Sequence, residues 1–473
     1  MANRWKGNFI IASEPTSSGT DFTGKANGAW GLNSQCQQKY AGLWAKGVYA
    51  PNAPTIGTAT GGNAQASVTF TASTDSGGGT LTYTAISTPG SITGTSAVSP
   101  ITVTGLTNGT AYTFTVHANS SFGYTSPESA SSNSVTPVSR PSAVVITGYT
   151  SPYINAYLWS NGFSTKYADP STLPSGAVNQ LAFNPTGNSI VCPLDTSPYI
   201  RGYKWDVNGF GTSFSGEPSL PANSTKGVYF INSSTLAVSG IDSPYIYVYS
   251  YSNNSGITSK YANPSTLPTG AGRGITASPN GSTVVIGHSI SPFVTAYPWS
   301  SGFGTKYSDP SVATLTNYVM QPAFTSDGSV LALGSISSPY IVVYSWSSGF
   351  GSKYANLSTP LTSRASCVTF NTANTVITLS SEASPYIYAY AWSNSTGFGT
   401  KYTDPSTIPG VNGASGVAFN YSNNVLATAI YDSPAVLAYP WSDSTGFGTN
   451  YSNPSPLPPL TNGGSLKLTF TPY

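Results

Sequence analysis

The sequence predicts an all-β protein, and three observations lead to this prediction. The 473 residues include 49 Gly and 36 Pro, and so many helix-breaking residues disfavour long helices. The 32 Tyr, 19 Phe and 9 Trp supply enough apolar area for a sizeable core. A short motif recurs seven times at near-constant spacing, which is typical of architectures built from repeated units.

The repeated motif is a Ser-Pro pair, usually followed by Tyr. Its copies begin at Ser151, Ser197, Ser243, Ser291, Ser338, Ser384 and Ser433. Each copy leads into an alternating segment that ends in Trp or Tyr, and then into a turn that contains Gly. A period of 40 to 50 residues with four short strand-like runs is the pattern of a propeller blade. Residues 138–473 are therefore predicted to form a closed seven-bladed β-propeller.

The second unit of the repeat illustrates the predicted strands, and the two ends of the region predict how the ring closes. The four strands of that unit are predicted at residues 181–183, 189–194, 199–205 and 210–214. Residues 143–148 match the second strand of later units, whereas residues 465–472 match the innermost strand. The C-terminal strand is therefore expected to complete the first blade and to remove two open strand edges.

The units also resemble WD40-like propeller repeats. The resemblance rests on residues 181–187 (LAFNPTG), the Ser-Pro-Tyr-Ile that follows them, and Trp205-Asp206. In most other units the Trp is followed by Ser, which departs from the WD40 pattern. The resemblance implies a propeller architecture and carries no function with it.

Residues 51–137 lack this period and are predicted to form a separate β-domain. Alternation predicts strands at residues 54–56, 67–72, 81–86, 101–106, 111–118 and 134–137. Residues 106–116 (LTNGTAYTFTV) resemble the E–F corner of fibronectin type III domains, and the resemblance makes Tyr112 the tyrosine-corner residue. It also implies a β-sandwich that serves as a spacer or a weakly adhesive surface.

Residues 1–50 carry more aromatic side chains than so short a segment can bury by itself. Trp5, Phe9, Trp30 and Trp44 lie here, and Leu32 begins a stretch with the spacing of a short helix. Residues 28–35 and 41–44 resemble a segment of tailed-phage virion proteins. These aromatic residues and Leu32 are predicted to bind other virion proteins, as an attachment segment. The alternative is that they pack against the neighbouring domain.

Composition also disfavours several classes of partner. Only 7% of residues are charged, the net charge is +2, and no Lys/Arg run forms a phosphate-binding stripe, so nucleic acid is not expected. No stretch of 18 apolar residues predicts a membrane span. The N-terminus lacks the features of a signal peptide. The protein is therefore expected to be made in the host cytoplasm and exposed on a particle surface, in many copies or as a homo-oligomer.

No set of residues predicts catalysis, a cofactor or a metal. His117 and His288 fall in different domains, and neither has a Cys, His or acid at metal-ligand spacing. Asp169, Asp309 and Asp404 recur before Pro. Paired carboxylates could hydrolyse glycosides, but repetition places these on different blades and Asx-Pro is typical of turns.

A set of Tyr residues leaves a functional alternative open. These are Tyr153, Tyr199, Tyr245, Tyr340 and Tyr386. They are expected to pack between blades. The alternative is a ring of aromatics at one rim that stacks on the sugar rings of a host-surface glycan.

The sequence thus favours a non-enzymatic structural protein of a tailed-phage particle, as a capsid decoration or as a neck or tail appendage. The alternative is a carbohydrate-binding protein, either a phage receptor-binding protein or a bacterial surface adhesin. A propeller glycosidase or lyase is the third possibility, and the missing catalytic set argues against it.

Overall fold

The computed structural model describes residues 49–138, 142–214, 220–310, 315–408, 413–459 and 466–472. Within these ranges all regular elements are β-strands. The chain divides into two compact units, Met1–Ser139 and Arg140–Tyr473. The predicted attachment residues Trp5, Phe9, Trp30, Leu32 and Trp44 lie outside the described residues.

The first unit has two three-stranded antiparallel sheets. Its strands are β1 (Thr55–Gly61), β2 (Gln65–Thr71), β3 (Leu81–Thr88), β4 (Thr93–Ser96), β5 (Ile101–Thr104) and β6 (Thr113–Ser120). The sheet orders are β1-β2-β5 and β4-β3-β6. Every second residue of β6 is buried, because one face of the strand packs on a core shared by both sheets.

Most of the strands predicted for the first unit are present, with two differences. The short β4 (TGTS) was not expected, because it offers no apolar residue at alternate positions. The segment predicted as a strand at 134–137 makes an isolated bridge between Val135 and Tyr112. The hydroxyl of Tyr112 accepts a hydrogen bond from the backbone N–H of Thr107 at 3.0 Å.

The described residues of the second unit form seven antiparallel sheets. The first combines β7 (Ala143–Thr147), β8 (Ile154–Trp159) and β9 (Phe163–Lys166) with the C-terminal β33 (Leu468–Phe470). The second contains β10 (Ala182–Phe183), β11 (Ser189–Pro193), β12 (Ile200–Asp206) and β13 (Gly209–Ser213), and the third β14 (Thr225–Asn232), β15 (Thr235–Gly240), β16 (Ile246–Ser252) and β17 (Gly256–Lys260). The fourth has three strands, β18 (Gly272–Ala277), β19 (Thr283–His288) and β20 (Val294–Pro298).

The remaining three sheets follow the same order along the chain. The fifth contains β21 (Val319–Phe324), β22 (Val330–Ser335), β23 (Ile341–Trp346) and β24 (Phe350–Lys353). The sixth contains β25 (Ala365–Phe370), β26 (Val376–Ser381), β27 (Ile387–Ser393) and β28 (Gly397–Lys401). The seventh contains β29 (Ala414–Phe419), β30 (Val425–Ile430), β31 (Val436–Ser442) and β32 (Gly446–Phe447). The four strands that the sequence predicts for the second repeat are those of the second sheet, β10–β13.

Each sheet of the second unit packs against the next through a shared apolar cluster. Val145 of the first sheet and Ile190 of the second lie in one such cluster. Similar clusters join the second sheet to the third and so on to the seventh. The seventh sheet packs on the first, because Val425 and Ala427 share a cluster with Val144. Among the described residues, sheet-to-sheet contacts therefore continue around all seven sheets.

The two ends of the second unit meet in the first sheet. Strand β33 pairs antiparallel with β7, placing Leu468 opposite Ile146 and Phe470 opposite Val144. The N–H of Thr471 donates to the carbonyl of Ala143 at 2.9 Å. The predicted pairing of the C-terminal strand is confirmed.

The repeated aromatic and charged residues have structural roles in this arrangement. Trp346 meets Phe350, Phe324 and Tyr307 edge-to-face, with ring centroids 5.1, 5.4 and 5.5 Å apart. Repeated Lys side chains bind the Asp or Asn three residues later, in the pairs Lys166–Asp169, Lys260–Asn263, Lys306–Asp309, Lys353–Asn356 and Lys401–Asp404. The recurring Asp residues thus fix loops that leave the outer strands.

Candidate functional site

The innermost strands of the seven sheets surround a common axial cavity. This cavity has a volume of about 580 Å3. Its lining includes parts of β10, β14, β18, β21, β25, β29 and β33, so every sheet contributes to it. A smaller cavity of about 150 Å3 adjoins it. Gln180, Gln321 and Lys467 line both cavities.

Most of the residues around the smaller cavity lie near the starts of the innermost strands. Several of these strands have an irregular register just after the first paired residue, at Lys226, Arg273, Met320, Ser366 and Ser415. A residue at such a bulge leaves the regular ladder, which re-aims its side chain. Lys226, Arg273 and Met320 line the smaller cavity together with Lys467. Three cations therefore line the smaller cavity, although few residues of the chain are charged.

Lys226 is neutralised within this group. Its ammonium pairs with the carboxylate of Asp195, which also accepts hydrogen bonds from Asn179, at 2.8 Å, and from Ser224. Burial acts to raise the pKa of Asp195, but the hydrogen bonds from Lys226, Ser224 and Asn179 bring that pKa below its ordinary value. Asp195 is therefore held as a carboxylate and compensates one of the three cations.

Arg273 is positioned by an aromatic ring. Its guanidinium lies over the ring of Tyr318, with the central carbon 4.9 Å from the ring centroid. The Nε–H of Arg273 is buried and has no hydrogen-bond partner within the described ranges. Among the described residues no carboxylate forms an ion pair with Arg273. The guanidinium thus lines the smaller cavity with its charge uncompensated by a direct pair.

Lys467 reaches the cavity from the segment just before β33. Its ammonium donates to the carbonyl oxygens of Ser366, at 2.9 Å, and Ser415. Burial lowers the pKa of Lys467; the nearby Cys367 opposes this shift, and the Arg364 charge adds to it. No acid in the described part of the chain forms an ion pair with it. Two carbonyls therefore hold the ammonium in place without cancelling its charge.

The predicted glycan-facing tyrosines lie elsewhere. Tyr153, Tyr199, Tyr245, Tyr340 and Tyr386 each follow the Pro of a repeat and have a positive φ, between 61° and 69°. All five are half-buried. Tyr153, Tyr340 and Tyr386 pack against clusters between sheets. None of the five is among the residues that line the two axial cavities. Their stacking on sugars stays a prediction.

The sequence reasoning missed Lys226, Arg273 and Lys467 as a group. Each is a single cation in a different repeat, so none forms a motif along the chain. The available signal was positional, since aligning the repeats by their innermost strands brings Lys226 and Arg273 to one position and Lys467 to the next position along the strand. Elsewhere in the described chain, there is no cluster of three His, Cys, Asp or Glu suited to a metal ion. The described residues also include no helix able to span a bilayer.

No protein family and no curated protein matches the chain. Solved structures do resemble it. A proposed 6-phosphogluconolactonase from Bacteroides uniformis is 12% identical, with a TM-score of 0.54, and the match covers 70% of this chain and 100% of that one. A second, from Bacteroides fragilis, is 10% identical with a TM-score of 0.55 and covers 70% and 98%.

The β-propeller domain of Cps50 (Swd1) from Myceliophteria thermophila also matches, at 13% identity and a TM-score of 0.44, over 61% of this chain and 89% of that one. At such identities a likeness concerns the fold alone. The chain is an all-β protein with many four-stranded sheets, and β-propeller structures are among those similar to it.

Proposed function

We propose that the chain is a non-enzymatic structural protein of a tailed-phage particle, as a capsid decoration or as a neck or tail appendage, and that it displays a propeller outward. The observation that carries this proposal is the order of its parts. An aromatic-rich segment comes first, a small β-unit follows, and a larger unit with paired ends comes last. This order suits attachment at one end and display at the other.

The second unit is proposed to be a closed seven-bladed propeller. Support comes from the seven sheets, from the apolar clusters that join each sheet to the next, and from the pairing of β33 with β7. Such closure covers the edge of β7 and leaves exposed only the short outer strands of the blades.

The first unit is proposed to be a fibronectin type III-like spacer. Support comes from the sheet orders β1-β2-β5 and β4-β3-β6, and from the hydrogen bond between Thr107 and the hydroxyl of Tyr112.

Residues 1–50 are proposed to attach the chain to other virion proteins. Trp5, Phe9, Trp30 and Trp44 are the residue types that dominate interface energetics, and Leu32 would extend the same apolar surface. A virion component is expected in many copies. The test is quantitative mass spectrometry of gradient-purified phage particles from the cells that make this chain. A constant copy number per particle supports the proposal, and loss of the chain during purification contradicts it.

Carbohydrate binding at a host surface is the alternative within the same display role, for a phage receptor-binding protein or a bacterial surface adhesin. It is favoured by the recurrence of Tyr153, Tyr199, Tyr245, Tyr340 and Tyr386 at one position of the repeat. Aromatic faces stack on sugar rings when they are accessible. A glycan array probed with the full chain tests this alternative, and a signal that survives Tyr→Leu changes at these positions would exclude the tyrosines as the binding surface.

Hydrolysis of a sugar lactone is the second candidate function. It is favoured by two similar structures that carry the name 6-phosphogluconolactonase. Among the described residues, the lining of the axial cavities includes no His, Asp or Glu, the side chains that most often transfer protons near pH 7. Incubation with 6-phosphogluconolactone, with acid release followed against the uncatalysed rate, separates the two functions. Enzyme-dependent release would overturn the non-enzymatic proposal.

A further inference from the structure

We propose that the smaller axial cavity is a binding site for the carboxylate or phosphate group of a small molecule. Arg273 and Lys467 would bind the anionic group, and the adjoining larger cavity would hold the rest of the ligand. This inference concerns the axis of the second unit and does not depend on a role in a phage particle.

The first argument is the balance of charge around the cavity. Of the three cations that line it, Lys226 is paired within the described part of the chain, through Asp195. Arg273 and Lys467 have no ion-pair partner among the described residues. Positive charges that share a partly buried cavity repel one another, and an anion bound between them removes that cost.

The second argument is the hydrogen-bonding capacity that the protein leaves unused. A guanidinium offers five N–H donors and an ammonium offers three. Within the described ranges the buried Nε–H of Arg273 has no hydrogen-bond partner, whereas its backbone carbonyl accepts from the hydroxyl of Ser239 at 3.0 Å. Lys467 uses its donors on two carbonyl oxygens, which leaves one. A planar guanidinium and an ammonium that line one cavity suit an oxyanion that accepts several hydrogen bonds.

The third argument is positioning. The ring of Tyr318 supports the guanidinium from one face, and the carbonyls of Ser366 and Ser415 fix the ammonium. Both cations therefore need little ordering when a ligand binds, which lowers the entropic cost of recognition.

Size restricts the ligand to a small molecule. A volume of about 150 Å3 accommodates a carboxylate or phosphate group with a few further atoms. Beyond it, the larger cavity is lined by further polar side chains, among them Gln180, Gln321 and Thr369. A hydroxylated organic acid or phosphate ester matches both cavities.

Isothermal titration of the full chain with three probes tests the proposal. Inorganic phosphate and D-glucuronate represent the two anionic groups, and D-glucose is the neutral control. We expect millimolar or tighter binding of phosphate, glucuronate or both, and none of glucose. Which anion binds identifies the group. Arg273→Gln should weaken binding at least about tenfold, the loss expected for one charge-assisted hydrogen bond.

A matched control and a second variant make the outcome decisive. Lys353→Gln removes a cation from the outer strand β24, where Lys353 binds Asn356, and should leave affinity unchanged. Met320→Glu places a carboxylate at the position equivalent to Arg273 in the next sheet and should abolish binding of the anion. This variant keeps the test valid if Arg273→Gln does not fold. Absence of binding by both anions overturns the proposal. Binding that neither cavity variant weakens overturns it as well.

Discussion

The ring of Phe470, on the last strand, meets the indole of Trp159, in the first sheet of the second unit, edge-to-face with ring centroids 5.5 Å apart. Both side chains are buried in the cluster that joins the first and seventh sheets. Phe470→Ala should therefore lower the free energy of unfolding by about 3–5 kcal/mol, the usual cost of removing a buried Phe. Urea denaturation measures this change. Tyr421→Ala, at a residue 59% exposed in the seventh sheet's hairpin turn, is the control and should have little effect.

Deleting residues 466–473 should be more damaging than any single substitution. The deletion removes β33, which exposes one edge of β7 and opens the cluster between the first and seventh sheets. We expect loss of cooperative unfolding, or aggregation, in calorimetry and size-exclusion chromatography. A truncated chain that melts like the full chain would show that β33 does not contribute to closing the unit.

In the first unit, Tyr112→Phe should loosen the segment around Thr107. The buried hydroxyl accepts the N–H of Thr107 at 3.0 Å, and its removal leaves that donor unpaired at a cost of about 1–2 kcal/mol. Hydrogen exchange should show faster deuterium uptake in peptides that contain Thr107. The matched control is Tyr124→Phe, at a residue 43% exposed. Equal uptake in Tyr112→Phe and the wild type would argue against the corner hydrogen bond.

Stability of the second unit should fall as the pH drops from about 6.5 towards 4. Burial lowers the pKa of His288 from 6.5 to about 4, so the unfolded chain binds the proton more readily across that interval. The contribution of the neutral His288 to stability is complete above pH 6.5 and is lost as the pH falls through the folded-state pKa. The free energy of unfolding should decrease by about 3 kcal/mol in all. Urea denaturation at several pH values measures it. His288→Gln should flatten this slope, whereas His117→Gln, in the first unit, should not.

The all-β class and the repeated sheets could be predicted because each relies on local patterns that recur. Strands alternate, Gly and Pro mark the turns, and Trp346 and its counterparts return at fixed places. The pairing of β33 with β7 was also predictable, since both ends of the second unit match a known strand of the repeat. Strand β4 was not predictable, because its sequence TGTS has no alternating apolar residues. Its pairing with β3 appears only in the folded structure.

The axial site could not be predicted from the sequence. Arg273 and Lys467 are far apart along the chain and belong to different repeats, so they line one cavity only because the sheets pack side by side. Their lack of ion-pair partners within the described residues is likewise a property of the folded arrangement. The recurring Asp residues could be predicted in part. Their place in loops followed from the Asx-Pro pattern, but their ion pairs with Lys are visible only in the folded structure.

The central claim, that the chain joins a phage particle through its N-terminal segment, is tested most directly by an incorporation measurement. Full-length chain and a chain lacking residues 1–50 are mixed separately with particles that lack this component, and bound copies are counted after gradient purification. Circular dichroism and thermal melting confirm that the shorter chain is folded. The account predicts that the full chain binds at a fixed copy number and that the shorter chain does not bind, because the aromatic residues of the segment supply the interface energy. Equal binding of the two chains, or no binding of the full chain, would contradict it.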